Sequence, residues 1–441
     1  MLKVLANRTY RHLFLAQVIA LVGTGLATVA LGLIAYDLAG ANAGAVLGTT
    51  LAIKMAAYVG VAPIAAAFAE RLDRRVMLVS LDIVRAAVAL LLPFVTQIWE
   101  IYVLIFVLQS ASAGFTPAFQ ATIPDVLPNE DEYTRALSLS RLAYDLESVV
   151  SPMLAAALLT VISFHGLFAG TVVGFLASAA LVVSVALPTP TPTERRAIYD
   201  RTTRGLRIYL ATPRLRGLLA LNVTVAAASA MVVVNTVVLV QGEFGLSQRA
   251  TALALASFGG GSMAAALMLP RLLKNIADRT AMLAGAAVLI AGLLTGSMIT
   301  GFGLMLPLWF ALGIGYSLTQ TPAGRLLRRS AQPEDRPAVF AAQFALSHAC
   351  WFITYPVAGW LGAQAGLPVT FVTLGLIAVA AVFVAVRLWP ISNDMDAIEH
   401  IHGTLGDNHP HLADAQRVAT GYRHAHPYVI DSHHPEWPTS T

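Results

Sequence analysis

The 441-residue sequence predicts an all-α membrane protein, with twelve transmembrane helices in two pseudo-symmetric six-helix bundles. Three observations carry that expectation. Apolar residues make up 57% of the chain and charged residues only 12%, against roughly 25% charged in a soluble domain. The apolar residues fall in long runs that span a bilayer as helices, because lipid leaves no other way to satisfy the backbone of such a run. Lysine and arginine crowd into alternate connections between the runs, as a fixed membrane orientation requires.

The first six spans are read near residues 12–37, 43–69, 77–96, 99–123, 135–162 and 165–187. The second six follow near 214–242, 247–270, 280–300, 302–324, 339–364 and 367–389. Each set occupies about 175 residues, the spacing of an internally duplicated transporter. Four regions result: an N-terminal bundle (1–187), a linker (188–213), a C-terminal bundle (214–390) and a tail (391–441) expected to lack regular structure. The first span follows a short basic segment but is too long for a signal-peptide core, so it is expected to be retained.

Alternate connections hold Lys3, Arg8 and Arg11, then Arg71, Arg74 and Arg75, then the linker arginines, then Arg271, Lys274 and Arg279, and finally Arg325, Arg328, Arg329 and Arg336. The opposite side carries only Arg249. Both termini are therefore expected in the cytoplasm of a cell whose inner membrane holds the protein. The formal net charge of +4 needs no nucleic-acid partner, since these arginines serve topology and lipid headgroups. A monomer in the lipid bilayer is the expectation.

The linker opens with Pro188-Thr-Pro-Thr-Pro-Thr193, which ends the sixth span because prolines remove backbone donors. After it, Arg195, Arg196, Arg201, Arg204 and Arg207 alternate with apolar residues. Two readings fit: a basic helix on the inner leaflet, or a solvated connector between rigid halves.

Ionisable groups at membrane depth are costly and mark candidate function. The fifth span holds Arg141, Asp145 and Glu147. Arg141 and Asp145 are four apart and can neutralise each other, whereas Glu147 projects to another side of the helix. Desolvation favours the neutral form of a carboxyl group, which suits proton exchange, and carboxylates also bind divalent ions. A bracing network fits these charges equally. Lys54, alone in the second span, is expected to pair with Asp37, Asp145 or Glu147, and His348 near Cys350 in the eleventh is a candidate substrate contact. Gly259-Gly-Gly261-Ser262 and Gly313-Ile-Gly315 are helix-packing signals and not phosphate loops. No nucleotide-binding lysine motif and no Cys-x-x-Cys pair occur, so an ATP-driven pump is not expected, nor an enzyme.

Eight of the eleven histidines lie in the tail. They form His400-x-His402, His409-x-His411, His424-x-His426 and the pair His433-His434. On an extended chain residues i and i+2 share a face, so each His-x-His unit offers two imidazoles to one ion. Neutral imidazole suits nickel, cobalt, zinc and copper, and affinity order alone does not choose among them. A polar tail with incidental histidines is the alternative.

Between the second and third spans stands Ala66-Ala-Phe-Ala-Glu70-Arg71-Leu-Asp73-Arg74-Arg75. It resembles the Gly-x-x-x-Asp-Arg-x-Gly-Arg-Arg signature of the major facilitator superfamily, with Ala66 and Asp73 where the family has glycines. By that resemblance Glu70, Arg71, Asp73 and Arg74 form a gating loop, with Asp82 and Arg85 deeper on the same path. The family's arginine-plus-glycine signature of the fourth span is missing, as Gln109-Ser-Ala-Ser-Ala-Gly114 stands there. The tail, the amino-terminal Leu-Ala-Asn-Arg-Thr-Tyr-Arg-His-Leu-Phe and the fifth-span Leu-Ser-Leu-Ser-Arg-Leu-Ala-Tyr-Asp-Leu-Glu-Ser resemble the superfamily's nickel-resistance exporters and their siderophore-exporter relatives. That resemblance implies proton-driven export of nickel or cobalt, with the metal as transported ligand and no resident cofactor. An exporter of organic solutes with an incidental tail is the first rival, and a membrane sensor is the second.

Overall fold

The structure, a computed structural model, describes residues 2–39, 43–69, 72–188, 198–391, 397–402, 412, 415–418, 421–431, 434 and 436–438. The N-terminal half contains α1 (Arg8–Ala39), α2 (Ala43–Ala69), α3 (Arg74–Leu91), α4 (Ile98–Val126), α5 (Glu130–Leu158) and α6 (Phe164–Val183). A linker helix, α7 (Ile198–Ala211), leads to α8 (Pro213–Val237), α9 (Gln248–Leu272), α10 (Asp278–Gly296), α11 (Phe302–Gln320), the short α12 (Ala323–Arg329), α13 (Arg336–Ala365) and α14 (Leu367–Leu388).

Every span read from the sequence corresponds to one of these long helices. The tenth is shorter than expected, because Pro322 cannot donate to the preceding turn and α12 begins anew after it. Ten helices among the described residues are long and apolar enough to cross a membrane. α2 contributes the shorter apolar stretch Ala52–Ala67, and α5 is excluded by its own charges, which are the functional candidates.

Helix pairings repeat between the halves. α1 lies on α6 as α8 lies on α14, α2 on α4 as α9 on α11, and α3 on α6 as α10 on α14. The same pseudo-symmetry relates the two most extensive contacts between the halves, α2 with α13 and α5 with α9. Glycine sets the tightest crossing. A Cβ on Gly261 would lie 1.9 Å from the Phe310 carbonyl oxygen, and one on Gly313 would lie 1.9 Å from that of Phe258. Lipid-compatible side chains such as Phe106, Leu176, Leu376 and Phe383 remain exposed on the outside.

The linker is a helix, docked on the C-terminal half. Arg204 makes a bidentate ion pair with Asp335, one arm at 2.6 Å, and Tyr209 donates to the Gln343 side chain. Arg195 and Arg196 lie outside the described residues, as do Glu70 and Arg71 of the expected gating loop.

The tail departs from expectation. It folds into a three-stranded antiparallel sheet of β1 (Ile398–His402), β2 (Gln416–Val418) and β3 (Gly421–His426), in the order β1-β3-β2. Histidine alternating with other residues has the two-residue period of a strand, and Gly421 enters β3 at a φ of 140° that side chains disfavour. Tyr428 and Ile430 then join the core formed by Tyr209, Leu215, Leu326 and Trp389, which fixes the sheet under the C-terminal half.

Candidate functional site

A cavity of about 500 Å³ lies between the halves. Its polar wall comes from Gln17 and Thr28 of α1, Lys54 and Tyr58 of α2, Arg141, Tyr144 and Glu147 of α5, Tyr316 of α11 and Gln343 and His348 of α13. Phe119, Phe344 and Trp351 supply aromatic surface.

The carboxylates of α5 separate as their spacing predicts. Asp145 is buried and paired with Arg141, whose guanidinium also lies 4.5 Å from the Tyr316 ring centre. Glu147 lines the cavity, with Lys54 as the basic group in electrostatic reach. Of the partners considered for Lys54, Glu147 lines the same cavity, Asp145 is taken up by Arg141, and the Asp37 side chain lies outside the described residues. Gly25 makes room for this arrangement, since a Cβ there would meet Glu147 Oε1 at 2.6 Å. Lys54 Nζ also lies 5.5 Å from the Tyr58 ring centre.

His348 faces the cavity, with Nδ1 donating to the Phe344 carbonyl at 2.7 Å. A carbonyl only accepts, so this contact puts the proton on Nδ1 and the lone pair on Nε2. Its ring packs edge-on against Tyr58 at 4.7 Å. Cys350 turns away and donates to the Leu346 carbonyl at 3.3 Å, a packing residue.

The arginine-rich end of the cavity is sealed by ion pairs, several of them between the halves. Asp125 accepts from Arg74 of its own half and from Arg336 of the other, both at 2.6 Å. Arg325 of α12 reaches Glu130 at 2.6 Å, Thr134 at 2.9 Å and the buried Asp278 at 3.1 Å. Lys274 pairs with Asp131 at 3.3 Å, Arg328 donates to the Pro128 carbonyl, and Tyr133 donates to that of Gly324 at 3.2 Å. The α4–α5 connection is thus the N-terminal half's grip on α12.

Of the expected gating residues, Arg74 joins this seal, while Asp73 caps α3 by accepting from Arg75 and Val76 backbone amides at 2.9 and 3.2 Å. Asp82 and Arg85, expected on the gating path, are not among the ion pairs of the seal. They pair inside the N-terminal half, where Asp82 also accepts from Ser178 at 2.8 Å. Arg85 sits between Phe115 at 4.0 Å and Phe175 at 4.6 Å. Asp125, Glu130 and Asp131 were not singled out in the sequence. The available signal was an acidic cluster facing the arginines across the same side of the membrane.

The tail gathers imidazoles from separate strands. His400 stands opposite His424 in the β1–β3 register, and the i+2 rule adds His402 and His426 to the same face. One nitrogen from each of His400, His402, His424 and His426 lies within 4.8 Å of the others. His400 Nε2 is 3.1 Å from His402 Nε2, 3.1 Å from His424 Nε2 and 3.2 Å from His434 Nε2. One ring nitrogen has a single proton or a single lone pair, so hydrogen bonding satisfies one such neighbour and leaves the rest crowded. Ligands held about 2.0–2.1 Å from one ion are spaced by roughly 3.0–3.4 Å, which is the spacing found.

The tautomers agree. Nδ1 of His400 donates to the Ile398 carbonyl at 3.0 Å, and Nδ1 of His426 to that of Pro427 at 2.9 Å. Nδ1 of His434 lies 2.9 Å from an Asp431 carboxylate oxygen. Each puts the ring's lone pair on Nε2, the tautomer with which a histidine could hold a metal. Burial, reinforced by the neighbouring imidazoles, pushes His400 down to about 4, so its ring is neutral at physiological pH. His409, His411 and His433 lie outside the described residues.

The model for the Major Facilitator Superfamily matches residues 13–238 and again 218–397. An uncharacterized MFS-type transporter of Bacillus subtilis, YfiS, is 24% identical over 294 residues, 64% of this chain and 69% of the relative. Macrolide efflux protein A of Streptococcus pyogenes is 26% identical over 152 residues, 32% of this chain and 37% of its own length. Among solved structures, the human organic anion transporter MFSD10 is similar with a TM-score of 0.73 at 13% identity, covering 86% of this chain and 99% of that one. The fucose:proton symporter FucP of Escherichia coli is similar at 0.67 and 15% identity, covering 86% and 98%.

Proposed function

Because this chain belongs to the major facilitator superfamily, a family of transporters and not of enzymes, we propose that it exports divalent transition-metal cations, nickel first and cobalt second, from the cytoplasm across the inner membrane. Proton antiport drives the export, and metal resistance is its consequence. The observation that carries the reading is the imidazole cluster of His400, His402, His424 and His426. It stands at the arginine-rich face, which the positive-inside rule makes cytoplasmic. The remaining tail histidines, His409, His411, His433 and His434, belong to the same ligand-rich arm.

In this reading the tail holds metal at the loading side, and the passage site lies in the cavity. Glu147 is the carboxylate that exchanges between a proton and the ion, with Lys54 as its counter-charge when neither is bound. His348 Nε2 offers the cavity's imidazole lone pair. Arg141 keeps Asp145 occupied, so the two carboxylates of α5 have different tasks. The cavity, at about 500 Å³, suits a hydrated or partly chelated ion, because a bare ion fills only a small part of it. Rocking of the halves about α2–α13 and α5–α9 would break the seal at Asp125, Glu130 and Asp131 and admit the ion from the cytoplasm. The chain acts as a monomer.

A second reading has its own support. The aromatic wall of Tyr58, Phe119, Phe344 and Trp351 and the cavity's drug-like volume favour an organic solute, and two cations in the wall oppose a dication. The deciding experiment is uptake into inverted vesicles under an imposed proton gradient, with nickel, cobalt and zinc set against an organic dye. Gradient-dependent nickel accumulation is expected. Dye accumulation without any metal flux rejects the metal reading and establishes the other.

A further inference from the structure

Tyr428 connects the imidazole cluster to the seal. On one side its ring lies 4.8 Å from that of His400 and 4.6 Å from that of His434, centre to centre. On the other its carbonyl accepts from Arg214 Nη2 at 3.0 Å. Arg214, at the start of α8, is only 4% exposed. Its Nη2 also donates to the Arg329 carbonyl at 2.8 Å and its Nε to Ser330 Oγ at 2.8 Å. Trp437 of the tail covers the guanidinium at 5.4 Å. Arg329 and Ser330 are the last residue and the C-cap of α12. The same short helix presents Arg325 and Arg328 to Glu130 and Pro128 of the opposite half.

We propose that cation binding by the tail tightens the seal at the arginine-rich face, with Arg214 as the positioning residue that carries the effect from Tyr428 to α12. The inference rests on the tail being a metal site. An ion held by β1, β3 and His434 restrains the segment between His426 and His434, and so fixes the carbonyl that Arg214 binds. A helix of seven residues has few internal hydrogen bonds and depends on what holds its ends. With its C-terminus held, α12 keeps Arg325 and Arg328 aimed at the α4–α5 connection. The conformational entropy lost on closing is then smaller. A ligand shifts such an equilibrium only through its preference for one state, and here the assembled cluster and the closed seal occur together. The occupant is a borderline-soft dication, since the ligands are neutral imidazoles.

The test uses the full chain in lipid nanodiscs with Cys350→Ser, and nitroxide labels at two exposed positions flanking the seal, Glu132→Cys and Asn275→Cys. Zinc(II) is the probe, because a diamagnetic ion leaves the labels' relaxation intact. Double electron–electron resonance reads the closed-to-open ratio, and calorimetry on the same sample reads zinc binding. Zinc is expected to raise the ratio about fivefold or more, a typical coupling. His424→Ala with His426→Ala should remove both binding and shift. Arg214→Lys, or Ser330→Ala where that variant folds poorly, should keep the binding isotherm and lose most of the shift. Binding without a shift in the native tail overturns the latch and leaves the metal site standing. No binding at all overturns both.

Discussion

Arg336, the first residue of α13, lies 2.6 Å from Asp125 near the end of α4, so one carboxylate joins the two halves of the molecule. Arg74 holds the other oxygen of the same carboxylate at 2.6 Å. Asp125→Asn should therefore leave two half-buried guanidiniums short of charge, at a cost of about 1–3 kcal/mol. Resonance distances across the seal are expected to show more of the open form, with a lower melting temperature in detergent. An unchanged distribution would mean that the α4–α5 grip on α12 holds the face closed without this link.

Glu147→Gln should abolish proton-driven accumulation in inverted vesicles, by tenfold or more, which is about 1.4 kcal/mol of coupling. Substrate exchange without a gradient should persist, because the amide keeps the shape of the side chain. If accumulation survives, Glu147 serves only to pair with Lys54 and the proton site lies elsewhere.

His424→Ala removes the imidazole that faces His400 across β1 and β3, and Asp431→Asn weakens the group that orients His434. Nickel affinity measured by calorimetry should fall about 10–100-fold in each case, the range for outer-shell and ligand changes. Truncation after Pro390 should abolish this binding and leave vesicle transport in place. Loss of flux in a correctly inserted truncation would place essential ligands in the tail.

Asp82→Asn should strand Arg85 between Phe115 and Phe175 without its carboxylate. Removing one partner of a buried pair costs about 3–5 kcal/mol, so the yield of folded protein should drop sharply. Transport per folded molecule should stay near the native rate, since neither side chain lines the cavity or joins the ion pairs of the seal. A selective change in rate at normal stability would restore a gating role.

Gly313→Ala should force α9 and α11 apart, because its Cβ would lie 1.9 Å from the Phe258 carbonyl oxygen. Gly260→Ala, whose Cβ would meet only the Phe310 ring edge at 3.8 Å, should be tolerated. Melting temperatures of the pair separate a packing role from a general effect of added bulk.

The sequence by itself determined the twelve long helices, their division into two halves, the pairing of Arg141 with Asp145 and the strand period of His400-x-His402 and His424-x-His426. These follow from hydropathy and from local spacing, which act over one turn or one pleat. Tertiary structure decided the rest. Lys54 has three candidate carboxylates in the sequence, and only helix packing puts Lys54 and Glu147 on the wall of one cavity. Arg325, Arg328 and Arg336 read as orientation signals, because nothing local shows that residues some 200 positions away supply Glu130, Pro128 and Asp125. Asp82 and Arg85 read as part of a gate from their place beside the loop motif, whereas the angular position on α3 that turns them inward depends on how α3, α4 and α6 pack. The tail shows the division most clearly. Each His-x-His unit was legible as two imidazoles on one face, but only antiparallel pairing of β1 with β3 sets two such faces together. Strand register is a relation between segments, and neither segment carries it alone.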